Sequence, residues 1–285
     1  MFNFIKEDDI RIVYPNIKRR YKVIILGDMT MGAFSNRTKV ETEWILSIQQ
    51  IYNDSSVMLE LITFDSDVVE SSNEAFKELS VAANQFKKVT QEVVCVVKKD
   101  GNLLHLINTE QIKEKWNRVK NEIMTFNGMT TDLEDFLKVN NERFSSDDVL
   151  KELTNQLEFF KVYFNGLYGT HIPMYGWRQS ENAFKTNTLD YEVEYTKSED
   201  KQLNKLRVEF KSIDYKIGKR WIETAYKGFP LLVDTNTCKP EFNIEGNYLF
   251  DKKTGLIDDA IFIWEENVSD TLKLKTEYQI STITM

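Results

Sequence analysis

The most regular alternation in the chain lies near its C-terminal end, where Leu272, Leu274, Thr276, Tyr278, Ile280 and Thr282 interleave with Lys273, Lys275, Glu277 and Gln279. A period of two with one apolar and one charged face predicts a half-buried antiparallel strand. Tyr191, Val193 and Tyr195 alternate with Glu192 and Glu194 in the same way. Leu206, Val208 and Phe210 continue the pattern, but Ile213, Tyr215 and Ile217 resume on the opposite parity, which places a β-bulge near Lys211 or Ser212. Trp221 to Tyr226, Leu231 to Asp234, Asn247 to Asp251 and Ile257 to Glu266 are further apolar runs. They are separated by turn-forming stretches at Gly228-Phe229-Pro230, Cys238-Lys239-Pro240 and Asp251 to Gly255. Residues 189–285 therefore read as a meander of about six or seven strands.

The N-terminal part carries its own strands. Tyr21 to Gly27 is a short apolar run, and Val57 to Phe64 follows the turn Asn53-Asp54-Ser55-Ser56. Between them, Val40, Thr42, Trp44, Leu46 and Ile48 alternate over Thr38 to Tyr52, which we read as a strand although Trp44, Ile45, Ile48 and Ile51 also fit helical spacing. Ser71 and Glu74 form a capping box ahead of the stripe Ala75, Phe76, Leu79, Ala82, Ala83 and Phe86. Val93 to Val97 and Leu103 to Ile107 flank Asp100-Gly101, a tight-hairpin signal. Asn108 with Gln111 then predicts a helix start, with Ile112, Trp116, Val119 and Ile123 as the buried face.

The middle of the chain is helical in pattern. Asp132 to Arg143 predicts one helix, and Ser145 or Ser146 opens another whose stripe runs Val149, Leu150, Leu153, Leu157, Phe160 and Phe164. Phe159, Val162 and Tyr163 widen that stripe beyond one face, so this helix must be covered, and the C-terminal sheet is the expected cover. The fold class that results is α+β: antiparallel sheets at both ends of the chain, a helical middle, and a C-terminal meander packed on a long amphipathic helix. Length supports more than one unit, divided as an N-terminal α+β domain over 1–128, a helical connector with an aromatic loop over 129–188, and a sheet domain over 189–285.

Composition narrows the function classes. Net charge of -8 argues against phosphate-backbone recognition, which needs clustered Lys and Arg, so nucleic acid is not an expected partner. No apolar stretch approaches the roughly 18 residues of a membrane span, and the charged start Lys6-Glu7-Asp8-Asp9 lacks a signal-peptide core. A cytoplasmic location is the expectation. Cys95 and Cys238 are far apart and form no CxxC pair, which argues against a disulfide frame or a structural zinc site. Charge is unevenly spread: Val40 to Phe76 holds eight acidic residues and no Lys or Arg, whereas Met1 to Lys39 holds eight basic residues against four acidic. Such a field suits a partner protein with a basic surface, with Glu41, Glu43 and Glu60 as contacts. Acids that merely solvate the outer face of a sheet produce the same pattern.

Motifs for catalysis are missing. Asp28-Met29-Thr30 lacks the second Asp that an aspartyl nucleophile usually has two residues on. Asp65-Ser66-Asp67 with Glu70 lacks the Gly and Glu of an EF-hand loop. His105 and His171 are remote from each other, and no Ser/His/Asp set, HExxH or Gly-rich phosphate loop occurs, so neither cofactor nor metal is expected. Asp258, Asp259, Glu265, Glu266 and Asp270 form a second acidic patch, read as strand-end solvation. Gly166 to Ala183 is the most suggestive loop, because Tyr168, His171, Tyr175, Trp177 and Arg178 are residue types that dominate binding hot spots. An aromatic crossover packed over the sheet is the plainer reading. The leading expectation is a non-enzymatic protein-interaction module, of an immunity or secretion-accessory type. A carrier of a small apolar ligand in the curved C-terminal sheet and a carboxylate-based hydrolase are the alternatives.

Overall fold

The computed structural model describes residues 10–74, 84–127, 131–169, 171–172 and 174–284. The N-terminal strands are β1 Ile17–Met31, β2 Phe34–Ile51, β3 Val57–Thr63, β4 Asp67–Ser71, β5 Glu92–Val97 and β6 Leu103–Leu106. After the helices come β7 Tyr175–Glu181, β8 Thr188–Asp200, β9 Lys205–Tyr215, β10 Glu241–Asp251, β11 Ile257–Ser269 and β12 Leu272–Ile283. Every ladder is antiparallel, and all twelve strands belong to one sheet in the order β6-β5-β3-β2-β1-β12-β11-β10-β9-β8-β7, with β4 on β2.

The protein is thus an antiparallel-sheet-rich chain with a few helices, but the two expected sheets are one. Their junction is the β1–β12 ladder, in which Val23 faces Ile280 and Ile25 faces Tyr278. The divisions drawn at 128 and 189 do not separate two sheets. Parity explains the match: β1 and β12 each present an apolar residue at every second position, so one register buries both rows on the same side.

Local patterns fix most elements. Thr38 to Tyr52 lies in β2, a strand as read. The inserted residue of β9 is Ile213, skipped where Asp214 pairs with Glu192 and Ser212 with Val193. Gly101, at φ +85°, turns the β5–β6 hairpin, and Phe164 fills the space where a Cβ would stand. The helix α1 Thr109–Asn127 buries Ile112, Trp116 and Val119. Asn108 does more than begin it: its Oδ1 accepts from Val94 N at 2.9 Å and its Nδ2 donates to Glu92 O at 3.0 Å, which ties the helix start to β5. α2 Thr131–Ser145 and α3 Asp147–Asn155 follow, the latter with Ser146 as its N-cap. The helix expected over Ala75, Phe76, Leu79, Ala82 and Ala83 lies outside the described residues.

Two expectations are corrected. Trp221 to Ala225 is helical, within α4 Lys219–Ala225 with Tyr226 as its C-cap, because Trp221, Ile222, Ala225 and Tyr226 sit at helical rather than alternating spacing and Ala225 and Tyr226 are buried against Leu272 and Val268. Leu231 to Asp234 is turn and irregular backbone, not strand. The long amphipathic helix is also interrupted: α3 ends at Asn155, and Phe160–Phe164 forms a separate wide π-helical turn closed by Asn165 in the left-handed region. That turn presents Phe159, Phe160, Val162, Tyr163 and Phe164 around its circumference, each at most 5 % exposed. A regular helix could not bury that many adjacent bulky residues unless covered on all sides.

The sheet curls around this turn. Tyr191 on β8 and Trp264 on β11 have ring centroids 6.1 Å apart, although β9 and β10 intervene. Three strand steps in a flat sheet would separate them by about 14 Å. One large cluster fills the concavity, running from Trp44, Leu46 and Leu59 through Tyr163 and Tyr168 to Tyr248 and Phe250.

Candidate functional site

The concave face is filled at one side and open at the other. On the filled side, Phe159 makes ring contacts with Trp44 at 5.3 Å and Tyr163 at 4.8 Å. The Tyr163 hydroxyl lies 2.9 Å from that of Tyr21, which also donates to Ile257 O at 3.0 Å, and Ile257 N donates to Tyr163 at 3.3 Å. Burial pushes the Tyr21 phenol well above its ordinary range. Beside them Arg19 is held by Asp251 at 2.7 Å, by Asp258 and by Thr254, while Lys205 also reaches Asp258.

On the open side, a cleft of about 630 Å³ lies between the π-helical turn and strands β7, β8, β11 and β12. Six rings line it: Phe160 and Phe164 from the turn, Tyr191 from β8, Phe262 and Trp264 from β11, and Tyr278 from β12. Alternation places them. Phe262 and Trp264 share a face with Ala260, and Phe262 pairs across the ladder with Tyr278. Arg178 enters from β7, where Gly176, Arg178 and Ser180 face inward and Tyr175, Trp177 and Gln179 are the exposed set.

Polar groups shape the wall. Arg178 donates from Nη1 to Asn165 Oδ1 at 3.3 Å and from Nη2 to Asn165 O, and its guanidinium lies over the rings of Phe210 at 4.5 Å and Tyr195 at 5.5 Å. Asn165 donates onward to the Tyr248 hydroxyl at 2.7 Å, and Tyr248 donates to Val162 O at 2.8 Å, which pins the turn to β10. Trp264 Nε1 is buried and has no hydrogen-bond partner. Burial raises the Tyr191 phenol above its usual range, so it stays protonated and able to donate.

A fully buried carboxylate closes the wall from behind. Glu266 on β11 is 0 % exposed and accepts from Asn182 Nδ2 at 2.9 Å, Ala183 N at 2.7 Å and the Tyr226 hydroxyl at 2.8 Å. Asn182 and Ala183 sit in the β7–β8 connection, so one carboxylate ties that turn and the region after α4 to a strand three places away in the sheet. Burial raises its pKa from the ordinary carboxylate value. Strand-end solvation, the reading given to this patch, does not hold for Glu266. Asp258 points inward too, but eight residues along β11 and onto Arg19, so the two acids do not converge.

The sequence-predicted residues fall on different surfaces. Tyr168 is a core residue, 1 % exposed and against Tyr163 and Phe250. His171 is exposed, as are Tyr175 and Trp177, the latter under the Lys216 amine at 3.8 Å. Arg178 alone of the five lines the cleft. Glu41 and Glu43 lie on the outer face of β2, where Glu41 meets Lys22 at 2.7 Å and Lys39 at 3.2 Å, and Glu43 accepts from Arg20 Nε at 2.7 Å. These lysines hold the Glu41 carboxyl below its usual range. Glu41 and Glu43 are thus taken up by Arg20 and Lys22 of the paired strand β1 and by Lys39 of β2 itself, so these acids are not a free field for a basic partner. Glu60 sits on β3 between Ser47 and Val94, apart from the cleft. Asp65 and Asp67 are exposed and Asp28 pairs with Arg37 at 2.9 Å. No group of three metal-ligating side chains occurs among the described residues. Cys95 is buried, its thiol pushed up to about 12.

A second depression, about 690 Å³, is lined by Glu223 to Thr235. It is a surface bowl of turns in which Leu231 is 97 % exposed and the one lining ring, Tyr226, is occupied with Glu266. It offers no aromatic wall.

No protein-family model matches the chain, and no curated protein sequence is detectably similar. Among solved structures, the β-barrel-like protein of domain of unknown function DUF1849 from Brucella abortus is 8 % identical over 95 % of this chain and 100 % of its own, with a TM-score of 0.22. A domain described as an outer membrane lipoprotein-sorting protein, from Vibrio parahaemolyticus, is 7 % identical over 93 % of this chain and 84 % of its own, with a TM-score of 0.13. Scores this low bear on neither fold nor function. Among the described residues no helix is long and apolar enough to cross a membrane.

Proposed function

We propose that the protein binds and carries a small molecule with a largely apolar body, held in the cleft between the π-helical turn and the concave sheet. The supporting observation is the wall of six rings beside about 630 Å³ of open space. That volume falls in the usual range of roughly 300–1,000 Å³ for small-molecule pockets, which combine apolar walls with a few placed polar groups. Tyr191 and Phe262 are 3 % and 6 % exposed, so the wall is preformed. The test is native mass spectrometry on gently purified protein, paired with titration of an apolar dye that brightens out of water. A small-molecule adduct, or saturable dye binding that Phe262→Asp abolishes in a folded variant, is the expected result. A bare mass together with no saturable dye binding refutes the proposal.

Docking of another protein is a second reading, favoured by the edge strand β7. Met174, Tyr175 and Trp177 are 66 %, 48 % and 46 % exposed there, and β7 has a neighbour on one side only. A stoichiometric protein partner lost on replacing Tyr175 and Trp177 by Ala supports this reading; retention of that partner by the double variant removes it.

A further inference from the structure

We infer that the molecule held in the cleft is an anionic amphiphile, whose acidic oxygens meet the Arg178 guanidinium while its apolar body lies on the rings. This rests on the carrier reading and adds the chemistry of the headgroup. Arg178 is half-buried, yet it forms no ion pair with any carboxylate among the described residues, and its contacts to Asn165, Phe210 and Tyr195 supply no full negative charge. A guanidinium offers five N–H donors, and the contacts to Asn165 use two.

Arg178 lies beside the Tyr191 hydroxyl, and the Tyr191 ring meets the Trp264 ring edge-on. Carboxylates near the cleft are already engaged: Glu181 pairs with Lys161 at 2.8 Å, and Glu158 accepts from Tyr278 at 3.5 Å. A cationic ligand would meet the uncompensated guanidinium, and a purely apolar one would leave it without a counter-charge. An acidic headgroup supplies that counter-charge through charge-assisted hydrogen bonds. Carboxylate and phosphate monoester share this chemistry.

The test is titration calorimetry with dodecanoate, dodecyl phosphate and dodecanol, which share one chain and differ in headgroup. Dodecanoate, dodecyl phosphate or both are expected to bind at least about tenfold tighter than dodecanol. Which acid binds more tightly identifies the oxygen acid. Arg178→Met should bring the acids down to the alcohol's affinity, and Arg178→Lys should keep part of the preference. Circular dichroism and melting of each variant check that it remains folded. Equal affinity for acid and alcohol, or an Arg178→Met protein that keeps the preference, overturns the inference and leaves the carrier reading in place. So does binding of the apolar dye with none of the three surfactants. Loss of both dye and surfactant binding in the unaltered protein overturns the carrier reading itself.

Discussion

Arg19 and Arg178 both enter the concave side of the same sheet, and the difference between their surroundings separates a sealed region from an open one. Arg19 meets two carboxylates, a threonine hydroxyl and the Ile257 carbonyl, beside tyrosines whose hydroxyls bond one another. Arg178 meets one asparagine, two rings and the Tyr191 hydroxyl, all of them neutral. The apolar residues are of the same kind in both regions, so hydrophobicity does not distinguish them. Charge pairing does: where the chain fills its own concavity carboxylates meet the arginine, and beside the open space, among the described residues, none meets Arg178.

This contrast can be broken by substitution. The largest effect is expected at Phe159, which touches Trp44, Phe160, Tyr163 and Phe164. Phe159→Ala should cost about 3–5 kcal/mol in urea unfolding, whereas Trp264→Phe in the open region should cost less than about 1.5 kcal/mol. Equal costs would erase the distinction. Next comes Arg19→Met, which leaves Asp251 and Asp258 with Lys205 as the remaining nearby cation and should cost about 2–4 kcal/mol. Arg178→Met strands no anion and should stay within about 1.5 kcal/mol.

Glu266 gives a smaller, pH-dependent effect. Its folded pKa is raised by burial, so its favourable contribution is complete below the unfolded carboxylate value of 4.5 and is lost as pH rises through the folded value. Compared with Glu266→Gln, which cannot titrate, the wild-type protein should lose relative stability as pH climbs from about 4 towards neutrality. A stability difference independent of pH would show that its three donors offset burial. The smallest effect is expected at the outer rows: Glu41→Gln with Glu43→Gln should leave the melting temperature within experimental scatter at physiological salt, because exposed pairs are screened.

Much of the sheet was legible because alternation is a local property. Leu272 to Thr282, Tyr191 to Tyr195 and Val40 to Ile48 are strands with the predicted faces, and the parity break after Phe210 marks the bulge at Ile213. The site was legible only in part. Reading Gly166 to Ala183 as one aromatic surface missed that Trp177 and Arg178 are neighbours in a strand, and adjacent strand residues face opposite sides. The signal was present in Tyr175, Trp177 and Gln179 against Gly176, Arg178 and Ser180. Trp264 and Tyr278 likewise sat in predicted strands, but nothing local says that Tyr191 would reach Trp264. Glu266 looked like a surface acid because its donors come from residues 84, 83 and 40 positions away.

By itself the sequence determined which residues share a face, where strands break, and that the span from Leu150 to Phe164 carries more apolar bulk than one face can cover, since each follows from spacing along the chain. Only the tertiary structure decided that the two ends join through β1 and β12, that Arg20 and Lys22 of β1 pair with Glu43 and Glu41 of β2, and that one inward arginine is matched by carboxylates while the other faces a cleft. Those outcomes depend on strand order and sheet curvature, which bring together groups too distant in sequence for any local pattern to encode.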